Sequence, residues 1–299
     1  MDALTTHTLR DWRATQARRS WRSLRPRAGL VLAAALSLLT LAALALGVLG
    51  RSQQDAWQAE RDAAMRDSAR LAAQGVSSEL ARLGRVGELF AREQSAALAE
   101  LTLDPANVVL AAQVESRVRH VFEHAIGFNL ISPQGQPRLS GTGPGLGPKC
   151  RNELRRALGE THPATLLPLT MHDTPVPGGF VKHFDLVVPL ASGDFLFVSF
   201  SAEVVRETLR RQTRDGLHLA VLSGAGWRNE DMSVVAGPQP VRGARALSSA
   251  ERAAVRALTP VAETRWAISA SLAAGEAEAH AAATRAELWR YWVTFALMV

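Results

Sequence analysis

A run of 23 residues without a charged side chain, at residues 28–50, restricts the possible folds of this chain more than any other feature. About 20 consecutive apolar residues allow an α-helix to cross the hydrocarbon core of a bilayer. The apolar core of a cleaved signal peptide is usually only about 7 to 15 residues long, so a cleaved leader is the weaker interpretation. The run therefore predicts a transmembrane helix, with the lipid bilayer as a partner.

The basic residues are concentrated before this run. Seven arginines and two aspartates give residues 1–27 a net charge of +5, so only +1 of the total charge of +6 belongs to the remainder. An excess of Lys and Arg marks the cytoplasmic flank of a membrane segment. We therefore predict a basic cytoplasmic tail at residues 1–27 and an extracytoplasmic domain after the span. The nearly neutral remainder argues against nucleic acid as a partner.

A second apolar stretch lies at the other end of the chain. Aromatic residues at positions 289, 291 and 292 precede it, as is typical of a membrane boundary. The residues after Arg290 would span only about 14 Å as a helix, which is too short to cross the bilayer. We expect residues 273–299 to form a return helix that enters a truncated second transmembrane segment, with a cytoplasmic output domain missing. The alternative is an amphipathic helix that lies on the membrane surface or packs on the first span.

Between these stretches the apolar periodicity changes from helical to extended. Residues 52–101 contain no proline and carry apolar side chains at helical spacing, which predicts an extracytoplasmic helical stalk at residues 51–105. We expect its apolar stripe to pair two subunits as a homodimer. The stripe consists of Val76, Leu80, Leu83, Phe90, Ala97 and Leu101.

Residues 106–272 are predicted to form an α+β domain, because short segments of alternating apolar residues are separated by turn-forming segments. Residues 173–179 are interpreted as one such turn, and Ser248 with Glu251 as a helix-capping box. The predicted strands cover residues 126–131, 165–172, 180–190, 194–200, 218–223 and 263–271, and the predicted helices residues 107–125, 150–158, 202–211 and 248–258.

This organisation resembles the Cache or PAS-like periplasmic sensor domains of bacterial transmembrane signalling proteins. The resemblance covers residues 52–290 and includes an Ile-Ser-Pro-Gln-Gly turn at 131–135 and paired strands at 184–189 and 195–200. It implies an α+β fold: an N-terminal transmembrane helix and a long helix, an antiparallel sheet flanked by helices, and the start of a second transmembrane helix.

The same resemblance implies a sensor without catalytic activity of its own, located in the bacterial inner membrane with its sensor domain in the periplasm. Such a sensor relays the binding of a small molecule to a cytoplasmic output module, here a module for cyclic-di-GMP turnover, a histidine kinase or a chemotaxis module. The amino-acid-binding branch of the family uses a cluster of Arg, Trp and Tyr in its pocket. The only tyrosine of this chain, Tyr291, lies at the predicted membrane boundary, so the sequence does not predict an amino-acid ligand.

Four residues are candidates for ligand contact. On the strand predicted from residue 180, His183 and Asp185 share one face with apolar neighbours. Ligand pockets combine apolar walls with a few placed polar groups, so we expect His183, Asp185 and the nearby His172 and Arg138 to contact the ligand. The alternative is that these side chains face solvent or cap turns.

One segment suggests an enzyme instead. His120, Glu123 and His124 match the H-x-x-E-H pattern, in which two helical histidines bind zinc and the glutamate acts as general base. The alternative function is therefore a membrane-anchored periplasmic metallohydrolase. A solvated flank of the predicted helix also explains the pattern.

No cofactor is predicted. Cys150 is the only cysteine, so a site with several cysteine ligands is impossible. The glycine-rich residues 141–147 lack the spacing of the phosphate-binding motifs. We therefore expect neither a metal nor a cofactor.

Overall fold

The computed structural model divides the chain into two compact units, Met1–Glu60 with Ala274–Val299, and Arg61–Ala273. Of residues 5–28, 174–176 and 179 it describes only the backbone. The predicted glycine-rich loop, Cys150 and most of the strand predicted at 165–172 lie outside the described residues. The structure describes residues 5–140, 151–152, 154–155, 158, 171–176, 179–224, 233–237, 239 and 245–298.

The longest element is helix α1, Thr5–Glu93, which contains the uncharged run. Within the part of the chain whose side chains are described, the stretch Gly29–Glu93 alone is long and apolar enough to cross a membrane. Its most apolar window has a mean hydropathy of 2.4, and none of that window is buried inside the protein. An apolar surface of this size is typical of a helix that is surrounded by lipid.

The first unit also contains helix α6, Glu276–Met298, which continues into the second apolar stretch. Two contacts join α6 to α1 within this unit. The rings of Trp57 and His280 are stacked with their centroids 4.3 Å apart. Farther along α6, Leu288 lies so close to Gly50 that a Cβ atom at position 50 would be 2.6 Å from Leu288 Cδ1.

The second unit contains two antiparallel sheets. The first has the strand order β1-β4-β3-β2, and the second has the order β7-β6-β5-β9-β8. The first sheet follows helices α2 (Ser95–Leu103) and α3 (Val108–Val121) and consists of β1 (Ala125–Ile131), β2 (His172–Val176), β3 (Gly179–Pro189) and β4 (Phe195–Ser201). Helix α4 (Glu203–Gln212) leads to the second sheet, which consists of β5 (Leu217–Ser223), β6 (Ser233–Ala236), β7 (Arg245–Ala246), β8 (Ala257–Pro260) and β9 (Trp266–Leu272), with helix α5 (Ser249–Ala254) before β8.

A tight turn that requires glycine follows strand β1. After β1 the chain reverses at Gly135, whose N–H donates to the carbonyl of Ser132 at 2.8 Å. Gly135 has a φ of 74°, and an added Cβ would lie 2.6 Å from Arg155 Cγ, so both the backbone and the space favour glycine. The turn predicted at this position is therefore present.

Several element boundaries differ from the sequence-based predictions, and strands β6 and β7 were not predicted. Residues 173–176 belong to strand β2 and not to a turn. Pro175 is tolerated there because β2 is an edge strand. On the side of β2 that faces no other described strand, a missing N–H removes no interstrand hydrogen bond. Helix α3 ends at Val121, before the predicted residue 125, and residues 257–258 begin strand β8 and do not extend helix α5.

The apolar stripe of the stalk is buried inside the subunit. Val76, Leu80 and Leu83 are each less than 5% exposed and belong to the main core, together with residues from both sheets. The stripe cannot serve as the predicted dimer surface, because packing within the same chain already covers it. The prediction is therefore wrong about which surface would pair two subunits.

Helix α1 lies directly on one face of the first sheet. A Cβ atom at Gly87 would lie 2.9 Å from Val188 Cγ2 and 3.2 Å from Leu186 Cδ2, both on β3. Only glycine permits this approach without displacing the strand side chains.

Candidate ligand-binding face

The two faces of the first sheet differ in chemistry. On the face toward α1, strand β3 contributes Phe184, Leu186 and Val188 to the main core. Residues that are directly opposite in an antiparallel pair point to the same side of the sheet. The pairing of His183 with Ser201, Asp185 with Ser199 and Val187 with Phe197 therefore defines the second face.

Polar side chains occupy one half of this second face. Asp185 is fully buried, and its Oδ1 accepts a hydrogen bond of 2.6 Å from Ser199 Oγ. His183 is 5% exposed, and its Nε2 lies 3.7 Å from the same oxygen of Asp185. A buried carboxylate costs free energy unless hydrogen bonds and charges compensate it, and these two neighbours supply part of that compensation.

The structure brings three of the four predicted residues together. His172 on β2 pairs with His183 on β3, and their ring centroids are 5.9 Å apart. His172, His183 and Asp185 therefore form one polar row across two strands. Ser199 extends the row to β4, although sequence analysis did not select it. The two strands predicted at 180–190 and 194–200 form a hairpin with a short turn. Counting residue pairs outward from that turn would have placed Ser199 opposite Asp185.

Apolar side chains occupy the other half of the same face. Ile131, Val187 and Phe197 are buried in a separate small cluster with Leu154, and Leu158 packs against it. The second face thus combines a buried apolar cluster with a compact group of polar atoms, a combination that small-molecule sites also have.

The fourth predicted residue, Arg138, lies elsewhere. Its Nε is 2.5 Å from Asp194 Oδ2 and its Nη2 is 2.9 Å from Asp194 Oδ1. The hydrogen bond to Asp194, together with the charge of that carboxylate, raises the pKa of Arg138 above its ordinary value. Asp194 precedes Ser199 by five residues, which corresponds to about 16 Å along a strand. In this structure Arg138 anchors the turn before β4 and does not join the polar row.

The helical arrangement that the metallohydrolase alternative requires is not formed. His120 is in α3, but the helix ends at Val121, so Glu123 and His124 follow it. His124 Nε2 instead lies 3.9 Å from Glu207 Oε2. Within the described ranges, no group of three or more His, Cys, Asp or Glu residues is placed to hold a metal ion.

A cavity of about 560 Å³ lies on the other side of the sheet, between the end of α1, helix α2 and the turn that follows β3. Ala91, Leu98 and Val188 form its apolar walls, and Glu88 and Arg92 lie at its rim. None of the four predicted residues lines this cavity.

Comparisons with known proteins address the fold. No protein-family model matches the chain, and no curated protein matches it by sequence. Among solved structures, the ligand-binding domain of the Pseudomonas fluorescens chemoreceptor CtaA in complex with L-isoleucine aligns with a TM-score of 0.50 at 14% identity, over 76% of this chain and 98% of that domain.

Two further structures match with lower scores. The sensory domain of the Campylobacter jejuni chemoreceptor Tlp3 has a TM-score of 0.48 at 11% identity and covers 75% of this chain and 97% of its own. A domain of a sensory box/GGDEF family protein from Vibrio parahaemolyticus has a TM-score of 0.46 at 11% identity and covers 72% of this chain and 99% of its own. The expected resemblance in fold to Cache or PAS-like sensor domains is confirmed, and the similarity to the CtaA ligand-binding domain supports it.

Proposed function

We propose that this chain is the sensor portion of a receptor that is anchored in the bacterial inner membrane by residues 28–50. The fold supports a sensory role, because its structural neighbours are sensory and ligand-binding domains. The exposed apolar surface of α1 and the basic residues before it support an anchor with the sensor domain in the periplasm.

The observation that carries this proposal is the second face of the first sheet. Asp185, His183 and Ser199 are buried there beside the apolar cluster that contains Phe197. A carboxylate that is shielded from water favours a ligand group with hydrogen to donate. The ligand is therefore a small molecule with an amino or hydroxyl group for Asp185 and an apolar part for the neighbouring cluster.

Strand β3 connects this site to the helix that leads toward the membrane. Its second face carries His183 and Asp185, and its first face contacts α1 at Gly87. A ligand that stabilises one position of β3 shifts the population of helix positions, provided that it binds the two arrangements with different affinity. The signal is relayed to a cytoplasmic module, either for cyclic-di-GMP turnover or a histidine kinase.

Thermal unfolding of the full chain in lipid nanodiscs tests the proposed site. The probes are the twenty L-amino acids, a set of aliphatic amines and a set of small hydroxy acids, each at 1 mM, about 100 times a dissociation constant of 10 μM. A ligand that binds only the native state then stabilises it by about 2.7 kcal/mol, and Tm rises. We expect Asp185→Asn, which can still accept the hydrogen bond from Ser199, to abolish this rise.

The matched control is His120→Gln, which changes an exposed histidine of α3 outside the site. We expect it to retain the full rise in Tm. If every compound leaves the Tm of the unmodified chain unchanged, or if Asp185→Asn responds as the unmodified chain does, the proposed site is wrong.

A further inference from the structure

Two contacts hold the helices of the first unit side by side. The nearly parallel rings of Trp57 and His280 have an interplanar angle of 7° at a centroid distance of 4.3 Å. Gly50 provides the second contact, because its missing side chain leaves room for Leu288. Aromatic stacking has a specific geometry, so the first contact restricts the relative position of the helices more than an aliphatic contact would.

The spacing of these contacts is similar on the two helices. Trp57 follows Gly50 by seven residues on α1, which is about 10.5 Å at 1.5 Å per residue. On α6, Leu288 follows His280 by eight residues, about 12 Å. The contacts occur in opposite order along the two helices, so α1 and α6 are antiparallel and share one register over this length.

A change of register would break both contacts. A slide of α6 by one helical turn, about 5.4 Å, would replace His280 with Thr284 opposite Trp57. Thr284 lies one turn from His280 on the same helix, with its Oγ1 3.5 Å from His280 Nε2. The threonine side chain has no ring that could stack on Trp57. The same slide would remove Leu288 from the space at Gly50. The helix pair therefore has one register that satisfies both sites.

We propose that Trp57 and His280 are positioning residues that fix the register of α6 against α1 where the two helices approach the membrane. This inference rests on the proposed function, in which α1 and α6 connect the sensor domain to the bilayer. The stack sets the resting position from which the return helix moves during signalling.

Disulfide crosslinking of the full chain in membranes tests the register. The parent variant carries Gly50→Cys and Leu288→Cys, with Cys150→Ser to remove the only natural cysteine. Oxidation with copper phenanthroline should give an intramolecular crosslink, which proteolysis between the two positions reveals. We expect Trp57→Leu to lower the crosslinking rate about fivefold, as the loss of one aromatic pair predicts.

Conservative variants separate positioning from a general loss of structure. Trp57→Phe and His280→Phe keep a ring at the contact and should restore most of the parental rate, whereas His280→Ala should lower it as Trp57→Leu does. The matched control is Trp289→Leu. Trp289 is 63% exposed and stacks with Trp292 of its own helix, so this change should leave the rate unchanged.

Absence of an intramolecular crosslink in the parent, or crosslinks formed only between chains, would overturn the proposed register. If Trp57→Leu forms the crosslink as fast as the parent variant does, the proposed role of the stack is wrong. The assay uses no ligand, so its result is independent of whether the second face of the first sheet binds a small molecule. Failure of the proposed binding site and failure of the helix register are therefore distinguishable.

Discussion

The two sheets of the second unit share an architecture but differ in what they bury. Both are antiparallel and contribute to one main core. The first sheet buries the ionisable Asp185 and His183 on its second face. The corresponding small cluster of the second sheet is apolar, and Ser269 is the only buried polar side chain described between residues 217 and 273. The two antiparallel sheets therefore differ in chemistry: the first buries ionisable side chains beside an apolar cluster, and the described part of the second does not.

The polar interactions of the second sheet lie on its surface. Ser248 Oγ accepts from the N–H of Glu251, and the Glu251 carboxylate accepts from the N–H of Ser248, which completes a capping box on α5. Arg245 of β7 donates two hydrogen bonds to the same carboxylate, of 2.7 and 2.6 Å. Water competes with these exposed interactions, so their removal should cost less than a change to the buried row of the first sheet.

The largest expected effect concerns the core that the two sheets share. Trp266 of β9 is fully buried and meets Phe184 of β3 edge to face, with ring centroids 5.7 Å apart. Trp266→Ala should lower the free energy of unfolding by about 3 to 5 kcal/mol, because it leaves a large cavity in this core. Chemical denaturation, followed by circular dichroism, measures the change.

Phe180→Ala is the matched control, since Phe180 is 60% exposed, and its free energy of unfolding should change by less than about 1 kcal/mol. Two separate unfolding transitions in Trp266→Ala, with only one of them shifted, would contradict a core that is shared by both sheets.

The next effect compares a buried polar group in each sheet. Asp185→Ala should cost about 3 kcal/mol, because Ser199 Oγ loses its acceptor and His183 its neighbouring carboxylate. Ser269→Ala should cost only about 1 kcal/mol, because Ser269 Oγ makes a single hydrogen bond of 3.2 Å to the carbonyl of Ala220. Urea denaturation of both variants gives the two values. Equal costs would remove the energetic distinction between the sheets.

The smallest effect concerns the surface capping box. Ser248→Ala should cost about 1 kcal/mol or less. The hydrogen bonds from Arg245 and then from Ser248 hold the pKa of Glu251 far below its ordinary value of 4.5. A carboxyl group whose pKa is lowered by folding stabilises the protein above its unfolded pKa, and this contribution is lost as the pH falls below about 4.5.

For an exposed group, solvent screening reduces this contribution to a few tenths of a kcal/mol. Urea denaturation at pH 7 and pH 3.5 measures it as the difference between the unmodified chain and Glu251→Gln. The difference should be larger at pH 7. A difference that grows as the pH falls would contradict the assigned hydrogen bonds.

Local signals predicted most elements of the fold. Alternating residues predicted strands β1, β3 and β4, and the Ser248 capping box predicted the start of α5. The end of α3 was missed because an apolar stripe continues past Val121, although the chain already turns toward β1. Strand β2 was missed because Asp173 and Pro175 favour turns, and only its edge position makes the strand possible.

Long-range pairing limited the prediction of the site. Because side chains alternate between the two faces of a strand, the sequence of β3 was sufficient to place His183 and Asp185 on one face. It could not place Arg138, because the partner Asp194 is 56 residues away in sequence. Likewise, periodicity identified the apolar side of α1 around Leu80, but not whether another subunit or the domain's own sheets would cover it.

The close approach at Gly87 has a mechanical consequence for strand β3. With Val188 and Leu186 already against the helix backbone, a fraction of an ångström of inward strand displacement meets hard-core repulsion, not a compressible layer of side chains. The strand and helix therefore move as a stiff pair at this point. In the proposed receptor, Gly87 would therefore let a ligand-induced displacement of β3 reach the helix without being absorbed by side-chain rearrangement.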